Sequence, residues 1–388
     1  MNQTRPNVDS IHQLLSVFEP DDAQGHQALY LRKIFSGWGF ASEIYAGRVE
    51  GASEFGVRPA AELEADCSHN GILIYHLSIN SPVGEIFRRS PARQVLIYHN
   101  ITPARFFLPY DLFTYLECLQ GRRGLAAFAS TCDLALADSS FNAEELRALG
   151  FSRVVHLPFP LETGRLEGPS VPPTVSAGPD DTGPTLLFVG RLSPNKRQED
   201  ILEVFYYFRK MYSPAARLFL VGPGHLPAYR EFLENRIAEL ELGGVTIAGR
   251  VSRDELRGYY RAADLFLCLS EHEGFCLPLL ESFYYRIPVV AYAAGAIPET
   301  LGGAGVLLRE KTPARVAALL NRILTDRDLR EKIVAGQDRR LQKIERFDYE
   351  ARLSQCLFRH SVYQKEDRHR WGYEFRYFKP EVRNESGK

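Results

Sequence analysis

No stretch of this chain stays apolar for the roughly 20 residues a membrane-spanning helix needs. The opening MNQTRPNVDS also lacks the apolar core of a signal peptide, so the expectation is a cytoplasmic protein. Charge imbalance is missing too: 47 basic residues face 48 acidic ones, a formal net charge of -1. That leaves no global electrostatic drive toward nucleic acid or anionic lipid, although local basic segments such as 88–93 and Arg122-Arg123 keep a peripheral membrane contact open. Cysteine is sparse, with six residues at 67, 118, 132, 268, 276 and 356, and no pair has recognised metal-ligand spacing. Scattered like this they suit reduced thiols and not a disulfide framework. No Asp-x-Asp pair stands at a strand end, so no divalent metal site is expected.

What the chain does have is apolar content, 45% over 388 residues, enough for two cores. Apolar runs at Ile11 to Phe18, Ala41 to Ala46, Ile72 to His76, Val95 to His99, Leu134 to Ala137 and Val154 to Pro158 read as strands. Between them lie segments of helical spacing, including Gln27 to Gly37, an aromatic-rich region from Phe106 to Ala129, and a helix opened by Ser139-Ser140. The alternation continues through Thr185 to Gly190, Arg217 to Val221, Val245 to Gly249, Leu265 to Leu269 and Ile287 to Ala291. Strand and helix in turn imply an α/β fold with parallel sheets. Residues 167–184 contain five prolines and no apolar period, which marks a linker. The domains expected are therefore 1–166, 185–346 and a returning segment, 347–388, in which Tyr349 to Tyr363 reads as a helix and Trp371 to Phe378 as an extended aromatic tail.

The most informative stretch is Leu265 to Val290, LFLCLSEHEGFCLPLLESFYYRIPVV. A buried strand is followed by a polar loop, then Pro278 in the first turn of a helix, then another strand. The loop puts Glu273 and Gly274 ahead of the amides of Phe275, Cys276 and Leu277 at a helix start, with Glu281 about one turn further on. Helix starts hold anions through backbone donors and the helix dipole, whereas carboxylates accept from hydroxyls. Phosphates and vicinal hydroxyls together describe a nucleotide sugar. The competing reading is two solvated surface carboxylates.

Other candidates sit at strand ends, where open α/β sheets gather ligands. Gly25, in the loop before the first helix, suits close backbone approach to a phosphate, or is a simple turn glycine. His76 and His99 close two strands, with Asn100 and Thr102 beside His99 as hydroxyl contacts. Gly190 ends another strand, after which Arg191 and Lys196 are placed to neutralise a diphosphate. Arg250 and Val251 follow a further strand end, and the turn from Gly295 to Glu299 precedes a short helix.

Glu273-Gly-Phe-Cys-Leu-Pro-Leu-Leu-Glu281 resembles the E-x7-E element of the retaining GT-B enzymes called glycosyl transferases group 1. Gly190-Arg191 and Lys196 resemble that family's GR…K signature. The resemblance implies the GT-B fold, two Rossmann-like doubly wound parallel-sheet domains facing a central cleft. It further implies a retaining, metal-independent transfer of a sugar from a UDP or GDP donor to a hydroxyl acceptor, a glycan or lipid-linked saccharide, with no cofactor. On this resemblance Glu273, Gly274 and the amides of Phe275 to Leu277 position the donor sugar, Glu281 holds the ribose, and Arg250 and Val251 lie beside the base. Arg191, Lys196 and Gly25 manage the diphosphate, and His99 contacts the sugar near the reacting carbon. Three rivals share parts of this pattern: a GT-B epimerase or hydrolase, a non-catalytic nucleotide-sugar-binding subunit, and a phosphorylase-like enzyme with a lysine-bound pyridoxal group.

Overall fold

The computed structural model describes residues 8–49, 53–173 and 183–358. Among the described residues the chain forms thirteen strands, most of them apolar runs rich in Ile, Val and Leu: β1 Ile11–Phe18, β2 Ile44–Val49, β3 Arg58–Pro59, β4 Ile72–Leu77, β5 Arg93–Tyr98, β6 Leu134–Ala137, β7 Val154–His156, β8 Thr185–Val189, β9 Arg217–Val221, β10 Val245–Gly249, β11 Leu265–Cys268, β12 Val289–Tyr292 and β13 Val306–Leu308. They assemble into two sheets, ordered β3-β2-β1-β4-β5-β6-β7 and β10-β9-β8-β11-β12-β13. Every strand pair in both is parallel. Parallel strands covered by helices are buried on both faces, which explains continuous runs such as Leu265 to Leu269, all fully buried.

The helices are α1 Ala23–Gly37, α2 Leu63–Asp66, α3 Val83–Arg89, α4 Leu112–Gly124, α5 Ser140–Ala148, α6 Gln198–Met211, α7 Pro227–Glu239, α8 Arg253–Ala262, α9 Leu277–Tyr284, α10 Ile297–Leu301, α11 Pro313–Thr325, α12 Arg327–Glu345 and α13 Tyr349–Phe358. Several starts carry their own caps. The Ser139 hydroxyl accepts from Asn142 N at 3.1 Å, and Ser252 with Glu255 makes a reciprocal capping box at the start of α8.

In both sheets the strand order reverses beside the first strand of the domain. One reversal separates the β1 and β4 ends, and the other separates β8 and β11. Loops leaving such switch points diverge and open a crevice at the carboxyl edge. All the candidate residues on β1, β4, β5, β8 and β11 leave from that edge.

Several details depart from the periodicity. α1 begins at Ala23, four residues earlier than its apolar spacing indicates, because Asp22 caps it. Gly25 therefore lies inside the first turn and not in the preceding loop. β2 begins at Ile44, with Ala41 making only a bridge to Ser10. The two-residue β3 and the three-residue, half-exposed β13 are sheet edges too short for periodicity to announce them. Residues 174–182 of the linker, Trp371 to Phe378, and the helix expected beyond Phe358 lie outside the described residues.

Helix α13 packs on the first domain. Tyr349, Leu353, Cys356 and Leu357 are buried with Ile11, Leu31, Phe35 and Ile72, and the Arg93 guanidinium donates to the carbonyl of Leu357. Leu353 is fully buried, so Leu353→Ala should cost about 2–5 kcal/mol of first-domain stability, read as a lower urea midpoint at unchanged slope.

Candidate active site

Two loops of the second domain are joined along their backbones. After β8 the chain turns through Pro194, Asn195 and Lys196, and after β11 it runs through Glu271, His272 and Glu273. Glu271 N donates to Asn195 O at 2.9 Å, and Asn195 Nδ2 donates to His272 O at 3.0 Å. This pairing places Lys196 Nζ 2.5 Å from Glu273 Oε2, with the two side chains 17% and 7% exposed. An ionic network flanks them. Lys311 Nζ bonds Asp200 at 2.5 Å and Glu271 at 2.7 Å and lies over the Tyr292 ring, while Arg197 pairs with Glu199, Asp200 and Glu271. Arg191 is exposed at the mouth, and its charge lowers the pKa of Asp22 across the cleft against the larger upward push of burial.

Glu273 opens the turn into α9. The amides of Phe275, Cys276 and Leu277 have no protein acceptor among the described residues, and Cys276, the cap residue, is left-handed at φ 73°. Gly295 explains how this conformation is held. A Cβ there would sit 2.4 Å from Glu273 O and 2.9 Å from Glu273 N, at a φ of +54°. Ala296 N donates to Glu273 O at 2.9 Å, and the Thr300 hydroxyl to Phe275 O. The turn from Gly295 to Glu299 is thus the seat of the Glu273 loop.

Further along α9, Glu281 Oε2 accepts from the Tyr260 hydroxyl at 2.5 Å. Burial raises the Glu281 pKa, opposed by that hydrogen bond and by the Arg165 charge. Tyr260 stacks on Tyr285, centroids 5.0 Å apart. Together with Arg165, Arg253 and Leu277 these side chains line a crevice between the domains.

Contacts across the cleft reassign several expected roles. Gly25 N already donates to Asp22 Oδ1 at 2.6 Å, so this amide is committed within its own helix turn. Arg250 sends its guanidinium over the cleft to Glu19 Oε2 at 2.6 Å, where a backbone contact had been expected; Val251 beside it is half-buried. Asn100 spends its amide inside the protein, donating to Asn142 Oδ1 at 2.8 Å and accepting from His272 Nε2 at 2.6 Å. His272, which the sequence pattern did not single out, is held neutral, its pKa pushed down to about 3 by burial and by the charges of Arg122, Lys196 and Arg105. Gly274 meets the first domain so closely that a Cβ would lie 2.7 Å from His99 O. Glu299 accepts from the Ser140 amide at 2.7 Å and the Ser140 hydroxyl at 2.9 Å, capping α5 from the opposite domain. The basic segments are also engaged: Arg88 and Arg89 pair with Glu85, and Arg122 binds Glu145 and Ile101 O.

His99 differs most from expectation. Gln13 Nε2 donates to Ala28 O at 2.9 Å, which turns its carbonyl toward His76 Nε2, 3.0 Å away. His76 Nδ1 lies 3.0 Å from His99 Nε2, and His99 Nδ1 lies 2.7 Å from Asp138 Oδ2. Oxygen accepts at both ends, so three links require three protons, and two neutral imidazoles bring one each. Burial and then the His99 charge hold His76 well below the usual histidine pKa. The third proton is therefore held in the link between the His99 ring and the Asp138 carboxyl group. Both His99 nitrogens and both His76 nitrogens are occupied, so neither ring presents a free nitrogen to a sugar or an acceptor.

Two parallel-sheet Rossmann-like domains with switch-point loops facing one cleft make this a GT-B protein. A solved structure of Anabaena HepE in complex with UDP and glucose has the same architecture at a TM-score of 0.65 and 17% identity, covering 90% of this chain and 99% of that one. Within that class the second domain matches the family model of the glycosyl transferases group 1 over residues 175–339. An uncharacterised glycosyltransferase of Methanocaldococcus jannaschii is 30% identical over 162 residues, 41% of this chain and 40% of that protein. The MMP alpha-(1->4)-mannosyltransferase of Mycolicibacterium hassiacum is 34% identical over 137 residues, 34% of this chain and 32% of that protein. The matches thus span between about a third and two fifths of these curated relatives.

Asp138→Asn supplies an N–H to His99 Nδ1 and satisfies all three links with two neutral rings. Its stability should stay within about 1 kcal/mol of the parent, whereas Asp138→Ala should lose roughly 3 kcal/mol by leaving buried partners unsatisfied. Thermal unfolding measures the difference. Gly295→Ala should lower stability and loosen the Glu273 loop, read as faster amide exchange at Phe275 to Leu277.

Proposed function

We propose that the protein is a retaining glycosyltransferase that moves a sugar from a UDP- or GDP-sugar to a hydroxyl of a glycan or lipid-linked saccharide. The observation that carries this reading is the Lys196–Glu273 pair, 2.5 Å apart at the start of α9, with Glu281 on the same helix. One helix end thereby offers free amides and a cation for a diphosphate, and carboxylates for sugar and ribose hydroxyls. The Anabaena structure that holds UDP and glucose supports such a donor, as does the mannosyl transfer named for the Mycolicibacterium relative.

On this reading the donor lies with its ribose against Glu281 and its base in the crevice of Tyr260, Tyr285 and Arg253. Its diphosphate faces Arg191, Lys196 and the amides of Phe275 to Leu277. Glu273 turns from Lys196 toward the sugar hydroxyls when donor binds, and Lys196 swings to the phosphate. Cations and amides positioned before the reaction stabilise the charge that grows on the departing diphosphate, the role a metal ion plays elsewhere, and no cofactor is invoked. The leaving phosphate takes the acceptor proton on the same face, which retains the anomeric configuration. His99 contributes its backbone carbonyl beside Gly274 and not a ring nitrogen.

Lys196→Ala and Arg191→Ala should each reduce kcat by roughly tenfold or more in a donor-consumption assay, and near-parental turnover in both would sink the diphosphate assignment. Glu281→Ala should mainly weaken nucleotide affinity, measured by calorimetry with UDP and GDP. Because burial raises the Glu281 pKa, that affinity should begin to fall, as pH is lowered, at a pH above the ordinary glutamate value of about 4.3. In Glu281→Gln this pH dependence should vanish.

A further inference from the structure

Beneath the Lys196–Glu273 pair lies a group of side chains that the donor reading does not use. Cys268 closes β11 and is fully buried, and Cys276 caps α9 at 9% exposure. Their sulfurs and a Glu273 carboxylate oxygen all lie within 4.8 Å of one another. Seven residues separate the two cysteines, a spacing with no recognised metal motif, and the left-handed turn at Cys276 folds one sulfur back toward the other. Two thiolates and a carboxylate are a donor set for a thiophilic divalent cation. Tetrahedral zinc with bonds of about 2.3 Å to sulfur and about 2.1 Å to oxygen needs ligand atoms roughly 3.5–3.8 Å apart. The three atoms, within 4.8 Å of one another, meet that spacing by closing about 1.3 Å at most, within the reach of side-chain rotation.

We infer that Cys268, Cys276 and Glu273 form a site for a thiophilic divalent cation such as Zn²⁺ or Cd²⁺, built from the same carboxylate that the donor sugar needs. Coordination replaces the two S–H bonds by metal–sulfur bonds and releases two protons to solvent, with no change of oxidation state. The Ser270 hydroxyl is 3.3 Å from Cys268 Sγ. The fourth position faces the cleft and is left to water. The Lys196 ammonium opposes the bound cation, since it shares Glu273 at 2.5 Å. Metal and donor therefore compete for one carboxylate, and an occupied site inhibits transfer. The metal site rests on the three side chains, and only the competition rests on the glycosyltransferase reading.

The experiment is a Cd²⁺ titration of the full chain, reduced and freed of metal, followed by the ultraviolet thiolate-to-cadmium absorption. One equivalent should bind with that band in the parent and in the control Cys118→Ser, whose cysteine is buried elsewhere. The band should be lost in Cys268→Ser and in Cys276→Ser. Glu273→Gln should weaken binding at least tenfold, and Lys196→Met should tighten it. Absence of the band in the parent, or its persistence in Cys268→Ser and Cys276→Ser, would overturn the site. The competition is read separately: UDP-glucose or GDP-mannose should displace Cd²⁺ from the parent. If neither displaces it while the band still depends on both cysteines, the metal site stands and the donor role of Glu273 fails.

Discussion

A lysine and a glutamate held 2.5 Å apart with little exposure constrain the rest of the second domain. Desolvating two charges is costly, and their mutual attraction offsets that cost only when both are held in place. The holding is visible at every level. The Asn195 carbonyl accepts from the Glu271 amide and its side chain donates to the His272 carbonyl, the Lys311 and Arg197 network clamps Glu271 and Asp200, and Gly295 gives the Glu273 backbone its seat. Residues left-handed despite carrying side chains cluster on these loops, with Arg197 at φ 55°, Cys276 at φ 73° and, facing them from the first domain, Asn100 at φ 75°. Such conformations persist where surroundings overdetermine them, and they gather at sites built for ligands.

The first domain is a counterpart that grips the second by polar contacts. Glu299 caps α5, His272 binds Asn100, Arg250 reaches Glu19, and Gly274 rests against His99. Each contact crosses the cleft at the carboxyl edges of the two sheets. The first domain thus touches the second-domain site directly, at His272 through Asn100 and at Gly274 through His99. The His76–His99–Asp138 chain at this seam engages every ring nitrogen within the protein and spends neither ring on a ligand.

Much of the fold was legible because parallel strands buried on both faces appear as unbroken apolar runs. Leu265 to Leu269, Ile72 to His76 and Leu134 to Ala137 needed no context to be recognised. Arg58–Pro59 and Val306–Leu308, two and three residues long, are too short to show such a run, and they escaped. Helix starts were legible where a serine caps, as at Ser139, and misplaced at α1, where Asp22 caps a turn of polar residues. Within the site, Glu273, Glu281, Arg191 and Lys196 stood out through motif spacing. Asp138, His272, Glu271 and Lys311 did not, since nothing local distinguishes one surface-type polar residue from another until distant strands bring it to a cleft.

The order of apolar runs, the proline-rich break and the glutamate-bearing helix start were properties of the sequence alone, because each is set by neighbours within a few residues. The tertiary structure decided which charges meet. It paired Lys196 with Glu273 across 77 residues, turned Arg250 toward Glu19 across 231, and consumed both nitrogens of His99. It also folded two cysteines without a recognised spacing around one carboxylate. Hydrogen bonds and ion pairs act over about 3 Å, and chain separation carries no information at that range until the sheets have set their order.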